Sequence, residues 1–332
     1  MRSASVGPSI GIPGVLAGAA ALLAASMMLA VALGSVRLGP ARVFDGLFDQ
    51  GDTVARQIVW QLRVPRVLVA ASVGANLALA GVLLQGVARN PLAGPHVLGL
   101  SAGAGFAAIA VVVVAPGTPV ELVAPAAFVG AIAAAAVVYA LAWRGGISPV
   151  RFALSGVATA ALFTALSTAV LASSDLFTQS VLSFLAGGLF ARDWDDARQI
   201  LPYTLAIGSG AIVVAGALNV LALGDDVARG LGMRVERTRL LLVVLAAALT
   251  GSAVAVSGML AFVGLVVPHG ARLLVGSDHR WIAPLAAVLG ATLLVLADTF
   301  ARIVIAPTEI PVGIVTAVIG APVFLLLIRT RT

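Results

Sequence analysis

The sequence predicts an all-α protein whose helices pass repeatedly through a membrane, and three observations support this prediction. Of its 332 residues, 61% are hydrophobic and only 10% are charged, whereas a soluble domain carries about 25% charged residues. Apolar runs follow one another almost to the end of the chain, and most approach the roughly 20 residues that a spanning helix needs. Alanine, valine, leucine and glycine dominate these runs, and small residues let helices pack closely in lipid.

About ten apolar segments, separated by charged residues or by proline and glycine, are predicted to span the membrane within a single transmembrane domain, residues 1–332. They are approximately 15–36, 67–88, 97–115, 122–142, 150–172, 199–219, 240–257, 259–275, 281–303 and 310–328. The seventh and eighth come from one uncharged run that is too long for a single span and is divided at Ser257–Gly258. The first resembles a signal peptide, but its apolar core is longer than usual, so we expect it to be retained.

Two other segments are predicted to lie outside this spanning set. Residues 37–66 carry most of the early charge and are expected to form an extramembrane loop with a short surface helix. Residues 176–190 are apolar but too short to span, so a partly inserted or pore-facing helix is expected there. Twelve Arg residues lie in loops on the side of the termini and eight lie on the other side, with nine acids. We therefore predict that both termini are cytoplasmic.

The composition also excludes several classes of function. The chain has no Cys, so it can form neither a disulfide nor a thiolate metal site. All 20 basic residues are Arg, and without Lys the chain cannot contain the nucleotide-binding Walker loop. Basic residues do not alternate with aromatic ones, so the formal charge of +6 does not indicate nucleic-acid binding. The three His residues lie far apart in sequence, so we predict no metal site.

Arg63 and Arg66 are unusual because they precede the second predicted span on the side opposite the termini. They are three residues apart and can share one helix face, and Pro65 suits a first helical turn. Cations at a helix N-terminus are unfavourable by roughly 0.3–1 kcal/mol each. Two interpretations are open: contact with lipid headgroups, or presentation to an acidic partner, because guanidinium groups match carboxylates in geometry.

Two charged and two amide residues within the predicted spans are candidates for a functional or a packing role. Asp298 and Arg302 are four residues apart, so they can form an ion pair on one helix face. An acid inside a membrane is often functional, but a pair near a helix end can also reach towards the lipid surface. Asn76 and Gln85 need a partner or an aqueous cavity. They therefore either line a pathway or bond to a neighbouring helix.

The segment 223–232 is predicted to form a short surface helix after the sixth span. Asp225 and Asp226 suit its first turn, and Gly232 suits its end. A small apolar face that another protein could approach closely would be formed by Val227, Ala228 and Leu231. The alternative is an ordinary connection between two helices, although this one is the longest and most charged on its side of the membrane.

Motifs from about residue 60 to the C-terminus resemble those of one family. They are Arg-Val-Pro-Arg at 63–66, Leu-Ala-Gly-Val-Leu-Leu-Gln-Gly at 79–86, Arg-Asn-Pro-Leu-Ala at 89–93, Leu-Gly-Leu-Ser-Ala-Gly-Ala at 98–104, Leu-Gly-Asp-Asp-Val-Ala-Arg at 223–229, Phe-Val-Gly-Leu-Val-Val-Pro-His at 262–269, Gly-Ser-Asp-His-Arg at 276–280, Ala-Asp-Thr-Phe-Ala-Arg at 297–302, Glu-Ile-Pro-Val-Gly at 309–313 and Gly-Ala-Pro-Val-Phe at 320–324. In this order they resemble the FecCD (BtuC-type) permeases of iron-siderophore, haem and cobalamin importers.

The resemblance implies a BtuC-like type II ABC importer fold, with ten helices in two inverted repeats. It also implies the partners: a second permease subunit, identical or paralogous, two ABC ATPase subunits, and an extracytoplasmic solute-binding protein. The implied location is the bacterial inner membrane, in contact with lipid. No cofactor is expected on this chain, because ATP would be used by the separate ATPase subunits.

The resemblance assigns three sets of residues. The docking set, expected to meet acidic residues of the binding protein, is Arg63, Arg66 and Arg302. The gate set, expected to close the path on the cytoplasmic side, is Asn90, Pro91 and Leu92. The coupling set, expected to sit in a groove of the ATPase, is Leu223, Gly224, Asp225, Asp226, Val227, Ala228, Leu231 and Gly232. Asn76 stands where the family pattern leads us to expect Ala, which leaves its pathway role open.

The expected function is the translocation of a ferric siderophore by alternating access, with ATP hydrolysis in another polypeptide. Haem and cobalamin are alternative cargoes within the same family, and residues 185–194 favour ferric chelates only weakly. A secondary transporter driven by an ion gradient is the alternative of another class. Such proteins carry acids at mid-membrane, and Asp298 is the one candidate in the predicted spans. No nucleophile or acid–base pair is visible, so an embedded enzyme is not predicted.

Overall fold

A computed structural model describes residues 11–34, 38–48, 53–115, 117–118, 120–144, 146–173, 184–306 and 308–329. It is 81% helical, and the described residues contain no strand; one isolated bridge joins Trp143 and Ile147. The all-α class is therefore confirmed. Of the segment predicted as a partly inserted helix, residues 176–183 lie outside the described residues, and residues 184–186 form a helical turn.

Helices make up most of the described residues. In chain order they are α1 (Ile12–Ala32), α2 (Pro40–Phe48), α3 (Thr53–Arg56), the π-helical turn Gln57–Arg63, α4 (Val64–Ala88), α5 (Leu100–Val114), α6 (Val120–Ala142), α7 (Pro149–Ala172), α8 (Trp194–Val214), α9 (Ala217–Ala222), α10 (Asp225–Gly230), α11 (Val235–Ser257), α12 (Val263–Val275), α13 (His279–Ile303) and α14 (Val312–Arg329).

Within the described residues, seven helical runs are long and apolar enough to cross a membrane. Three shorter apolar helices, α5, α12 and α14, occupy the places of the third, eighth and tenth predicted spans. Because these three fall short of a full span by this measure, the number ten stays a prediction. The short length of α12 has a local cause: residues 258–262 before it are not helical, and Met259 N–H donates to the Phe184 carbonyl at 3.0 Å.

The second spanning run begins earlier than predicted. Residues 37–66 were expected to form a loop with a surface helix, and α2 fits the surface helix. The chain is helical again from Thr53, however, and continues through the π-helical turn into α4, so the apolar run Val54–Ala88 has 35 residues. Pro65 lacks an N–H group, and a π-helical turn before it changes the hydrogen-bond pattern without ending the helix.

The sixth predicted span is displaced and divided. It was predicted at 199–219, whereas α8 starts at Trp194 and ends at Val214, and α9 follows. The Asp193 carboxylate accepts hydrogen bonds from the backbone N–H groups of Asp195 and Asp196, and the Asp193 N–H donates to the Asp196 carboxylate, which completes a capping box. Acids stabilise the first turn of a helix, so the charges that were expected to precede the helix are part of its start.

The packing pattern agrees with two structural repeats, α4–α7 and α11–α14. α4 packs on α13 as α11 packs on α6, and α5 packs on α6 as α12 packs on α13. The contact between α4 and α12 likewise matches that between α11 and α5. α4, α11 and α13 are mostly buried, whereas α1, α7 and α8 are mostly exposed. The exposed helices are those available to lipid or to another subunit.

Glycines bring the central helices into backbone contact. A Cβ atom placed on Gly74 of α4 would lie 2.1 Å from the carbonyl oxygen of Gly290 on α13. A Cβ atom on Gly81 would lie 1.9 Å from the carbonyl oxygen of Gly264 on α12. Such close approach requires the absence of a side chain. These contacts fix the position of α4, which carries functional candidates at both of its ends.

Candidate functional site

Five charged side chains meet at one end of the bundle, which we call the arginine end. Arg66 donates hydrogen bonds from Nε and Nη2 to the Asp298 carboxylate, with 2.8 Å between Nη2 and Oδ1. Its third nitrogen, Nη1, lies 2.9 Å from Glu309 Oε2. Arg302 forms an ion pair with Asp298 on the same helix, with 3.2 Å between Nε and Oδ2. The predicted pair of Asp298 and Arg302 is confirmed, and Arg66 and Glu309 extend it.

The arginine end also explains why cations are tolerated at the start of α4. Arg63 Nη1 donates to the carbonyl oxygens of Val31 and Ala32, each at 2.8 Å. Arg302 Nη2 donates to the carbonyl oxygen of Ala30 at 3.2 Å. These carbonyls belong to the last turn of α1, where the helix dipole favours positive charge. The C-terminus of α1 therefore offsets the cost of placing guanidinium groups beside a helix N-terminus.

Arg63 and Arg66, for which lipid headgroups and an acidic partner were the open alternatives, are both buried in this structure. Arg63, Arg66 and Arg302 are only 4%, 9% and 3% exposed. A buried charge needs a partner, and Arg66 already forms ion pairs with two carboxylates of the same chain. The sequence placed Asp298 beside Arg302 through helical spacing. Glu309 begins the family motif at 309–313, but no spacing linked it to this pair.

A second charged group, which we call the clamp, lies at the opposite end of the bundle, the α10 end. The Asp225 carboxylate accepts from Arg239 at 2.7 and 2.9 Å and from Arg89 at 2.6 Å. Burial acts to raise the pKa of the Asp225 carboxyl, but the hydrogen bonds and charges of Arg239 and Arg89 outweigh it and hold that pKa below its ordinary value. Asp225 therefore stays ionised at neutral pH. Neither arginine was a sequence candidate, because each is distant from Asp225 along the chain.

The predicted coupling segment does form a short surface helix, α10. Gly224 and Gly232 flank it with φ of 106° and 83°, in the region that favours glycine. Leu223, Val227 and Leu231 are 60%, 50% and 66% exposed and recur every four residues. The predicted apolar face of Val227, Ala228 and Leu231 was wrong for Ala228. This residue is fully buried in the core, because it lies on the side of the helix that packs on the bundle. Asp226 is exposed and pairs with Arg229 at 3.1 Å.

The gate set forms a tight turn directly after α4. Arg89 has a φ of 46°, and this left-handed conformation ends the helix. The Leu92 N–H donates to Asn90 Oδ1 at 2.9 Å, and the Ala93 N–H donates to the Asn90 carbonyl at 3.1 Å. Asn90 and Pro91 are half-buried and Leu92 is exposed. The turn therefore lies at the α10 end, beside the clamp.

Asn76 and Gln85 bond to neighbouring helices of the same chain. Asn76 Nδ2 donates to Ser252 Oγ on α11 at 3.1 Å, and Gln85 Nε2 donates to the Leu265 carbonyl on α12 at 3.1 Å. Gln85 Oε1 accepts from Arg272 at 3.4 Å. Both side chains are buried within the subunit, so the structure favours the helix-contact alternative over pathway lining. Unlike Gln85 Oε1, the amide oxygen Oδ1 of Asn76 has no hydrogen-bond partner among the described residues.

The arginine end and the clamp lie near opposite ends of one helix, α4. α4 carries Arg66 in its first turn and is followed by Arg89, 23 residues later. At 1.5 Å per residue this separates them by about 35 Å, which is comparable to the thickness of a bilayer. Among the described residues no cluster of three or more His, Cys, Asp or Glu side chains could hold a metal ion. The geometry is that of a helical bundle with a cluster of charged side chains near each end of α4.

Comparison with known proteins identifies the family. The family model of the FecCD transport family matches residues 22–330. The chain belongs to the FecCD transport family. The expected family resemblance is therefore confirmed over almost the whole chain, including residues 22–36 of the first predicted span, which the motifs did not reach.

FecCD proteins with different cargoes resemble this chain. It is 38% identical over 310 residues to the Fe(3+)-citrate import system permease protein YfmE of Bacillus subtilis, covering 93% of each chain. It is 42% identical over 278 residues to the cobalamin import system permease protein BtuC of Halobacterium salinarum, covering 83% of this chain and 74% of the relative. Membership of the FecCD family thus does not by itself identify the cargo.

A solved structure supports the fold directly. An inward-facing metal-chelate type ABC transporter matches with a TM-score of 0.86 and 31% identity, covering 96% of this chain and 99% of the other. The FecCD chain is therefore an ABC importer permease, an integral membrane protein and a transport subunit rather than a catalytic enzyme.

Proposed function

We propose that this FecCD permease carries a ferric chelate, such as a ferric siderophore, inwards across the bacterial inner membrane by ATP-driven alternating access. The observation that supports this cargo most strongly is the ferric-citrate relative, which aligns with 93% of both chains. The cobalamin relative covers less of either chain. Cobalamin is therefore the second candidate within the family, and haem, which the sequence motifs also allow, is the third.

The proposed partners follow from the two charged ends. A loaded solute-binding protein docks at the arginine end, and two ATPase subunits engage the exposed residues of the coupling set at the α10 end. A second permease subunit, identical or paralogous, completes the path. The gate set, Asn90, Pro91 and Leu92, closes that path on the inner side. This chain holds no cofactor, and the ATPase subunits use the ATP.

The proposed orientation places the α10 end in the cytoplasm. α1 starts at this end, because its last turn contacts Arg63 at the other end. α14 follows Glu309 of the arginine end and therefore runs back towards the α10 end. Both termini are thus proposed to be cytoplasmic, in agreement with the distribution of Arg residues.

The charges argue against the alternative of an ion-gradient-driven transporter. A carboxylate that couples transport to protons or sodium must release its partners during the cycle. Asp298 is buried between the guanidinium groups of Arg66 and Arg302. The two guanidinium groups contact both of its carboxylate oxygens, so they occupy the position that a coupling cation would need. Energy supplied from another polypeptide at the α10 end is the better explanation.

Reconstituted uptake tests the proposed function. The permease, its ATPase and its binding protein are placed in vesicles and offered ferric citrate, a ferric hydroxamate, haem or cobalamin in separate reactions. We expect ATP-dependent accumulation of a ferric chelate and none with a non-hydrolysable ATP analogue. Uptake of cobalamin or haem alone would change the cargo. Uptake that persists without the ATPase and collapses with the ion gradient would instead support a secondary transporter.

The docking proposal makes a prediction about Glu309. The arginine end combines three guanidinium groups with two carboxylates, and Glu309 is the more exposed of the two acids. Glu309→Gln removes a competitor for Arg66 and raises the local positive charge. We expect about fivefold tighter association with the binding protein, the effect of one charge near a surface. The affinity is measured by titrating the binding protein onto the permease in nanodiscs.

The matched control for this prediction is Asp195→Asn. Asp195 is exposed at the same end of the bundle and pairs with Arg198 at 2.9 Å. The Asp195→Asn substitution removes the same charge as Glu309→Gln but does not alter a partner of Arg66. We therefore expect at most a small change in the affinity for the binding protein. Weaker binding to the Glu309→Gln variant, or an equal gain in affinity in both variants, would exclude the arginine end as the docking site.

A further inference from the structure

A single carboxylate joins three parts of the chain at the α10 end. Asp225 is the first residue of α10, and its two oxygens are shared by Arg89 and Arg239. Arg89 follows the last turn of α4, and Arg239 lies in the second turn of α11. α4 and α11 occupy corresponding places in the two structural repeats. The clamp therefore connects the surface helix to the central helix of each repeat.

Arg89 places one side of the clamp next to the gate turn. Its guanidinium donates to the Asp225 carboxylate and also to the carbonyl of Leu221 at the end of α9. Its own backbone has left-handed dihedral angles, which are uncommon outside glycine and are held in place by their surroundings. Asn90 is the next residue. Any displacement of α10 that moves Asp225 therefore acts on Arg89, the residue directly before the gate turn.

Arg239 anchors the other side of the clamp in the core. Its side chain is 1% exposed, and it donates to Asp225 and to the Ile147 carbonyl at 3.0 Å, in the connection between α6 and α7. A buried guanidinium needs its partners, because a charge left unpaired in the interior is costly. α11 is thus held to Asp225 more firmly than an exposed ion pair would hold it, and α10 cannot move freely on the bundle.

We propose that Asp225 is a positioning residue that transmits movement of α10, through Arg89, to the turn formed by Asn90, Pro91 and Leu92. This inference rests on the proposed function, because it takes the ATPase as the partner that moves α10. Leu223, Val227 and Leu231 face outwards for contact with that partner, whereas Asp225 turns inwards. Binding of the ATPase and transmission of its movement are then carried by different side chains of one short segment.

Because the sequence contains no cysteine, a single introduced thiol can be labelled specifically, and its labelling rate measures the state of the gate turn. Leu92→Cys places one thiol on the gate turn, and its rate of reaction with a maleimide is followed in the assembled transporter, with and without ATP. No cargo is needed for this readout. In the otherwise unaltered chain we expect ATP to change the labelling rate. Asp225→Asn should reduce that change about tenfold, as is typical for coupling between sites, while the ATPase still binds and hydrolyses ATP.

Arg89→Gln provides a second variant that is less prone to misfolding, because the Arg89 side chain is 31% exposed. It should reduce the ATP-dependent change as well. The double variant Arg89→Gln with Asp225→Asn should be no worse than Asp225→Asn alone, because interacting residues are not additive. Asp195→Asn, at the other end of the bundle, is the control and should leave the ATP-dependent change intact.

The outcomes separate this inference from the proposed function. If the ATPase does not bind the unaltered chain, the proposed function fails and the clamp fails with it. If the ATPase binds and cycles but the labelling of Leu92→Cys does not respond, or if both single variants keep the full response, the clamp is overturned and the proposed function stands. A loss of ATPase binding in both Asp225→Asn and Arg89→Gln would assign these residues to docking and also overturn the clamp.

Discussion

Replacing Asp298 with Ala is expected to destabilise the permease by about 3–5 kcal/mol, the usual cost of removing one partner from a buried ion pair. Arg66 and Arg302 both depend on this carboxylate, and all three side chains are almost fully buried. Without it, two guanidinium groups face each other, and Glu309 is the carboxylate that remains beside Arg66. The measurement is the unfolding free energy in mixed micelles, followed by helical circular dichroism as SDS is added.

Asp195→Ala supplies the comparison for that loss. Asp195 pairs with Arg198 at the same end of the bundle, but the two side chains are 86% and 74% exposed. An exposed pair contributes at most about 1 kcal/mol, so this variant should unfold almost as the unaltered chain does. Equal stability of the Asp298→Ala and Asp195→Ala variants would show that the ion pairs of the arginine end do not hold α4 and α13 together.

Gly74→Leu is expected to destabilise the bundle by about 3 kcal/mol or more, at the upper end of the range for overpacked interiors. A Cβ atom at this position would meet the Gly290 carbonyl oxygen at 2.1 Å, and the Cβ of Leu294 at 3.0 Å. Neither neighbour is the movable end of a flexible side chain, so α4 and α13 must separate. The same unfolding titration measures the effect, and the yield of folded protein in detergent reports it independently.

The matched control is Gly18→Leu on α1, another glycine within a spanning helix. A Cβ atom there meets nothing within 4 Å, and leucine is the better helix former by roughly 1 kcal/mol or less. This variant should be neutral or slightly more stable than the unaltered chain. If Gly74→Leu were equally well tolerated, the close approach of α4 and α13 would not be a requirement of the fold.

Hydropathy identified the regular part of this protein from sequence alone. The predicted boundaries of the fourth, fifth and ninth spans lie within about two residues of α6, α7 and α13. These boundaries are predictable because backbone groups in hydrocarbon must be paired within the helix. The prediction failed where helical structure continues beyond the bilayer, as in the run from Thr53, and where protein contacts replace the helix, as in residues 258–262.

The candidate site was only partly predictable, and the difference follows from distance along the chain. Helical spacing revealed the pair of Asp298 and Arg302, because residues four apart are neighbours on any helix. No local pattern reveals that Arg66 reaches the same carboxylate, since 232 residues separate them. The same holds for Arg89 and Asp225, which are 136 residues apart. The family motifs marked these regions, but not the internal partners of their charges.

By itself the sequence determined that the chain is a helical membrane protein, that it lacks a nucleotide-binding loop, and that it resembles FecCD permeases. Composition and motifs suffice for these conclusions, because they depend on the solvent around each segment and on short runs of residues. Only the tertiary structure decided which charges face inwards. It buried Arg66 and Arg302 against carboxylates of the same chain. It also turned Asp225 towards two helices, because buried charges must find partners wherever the fold brings them.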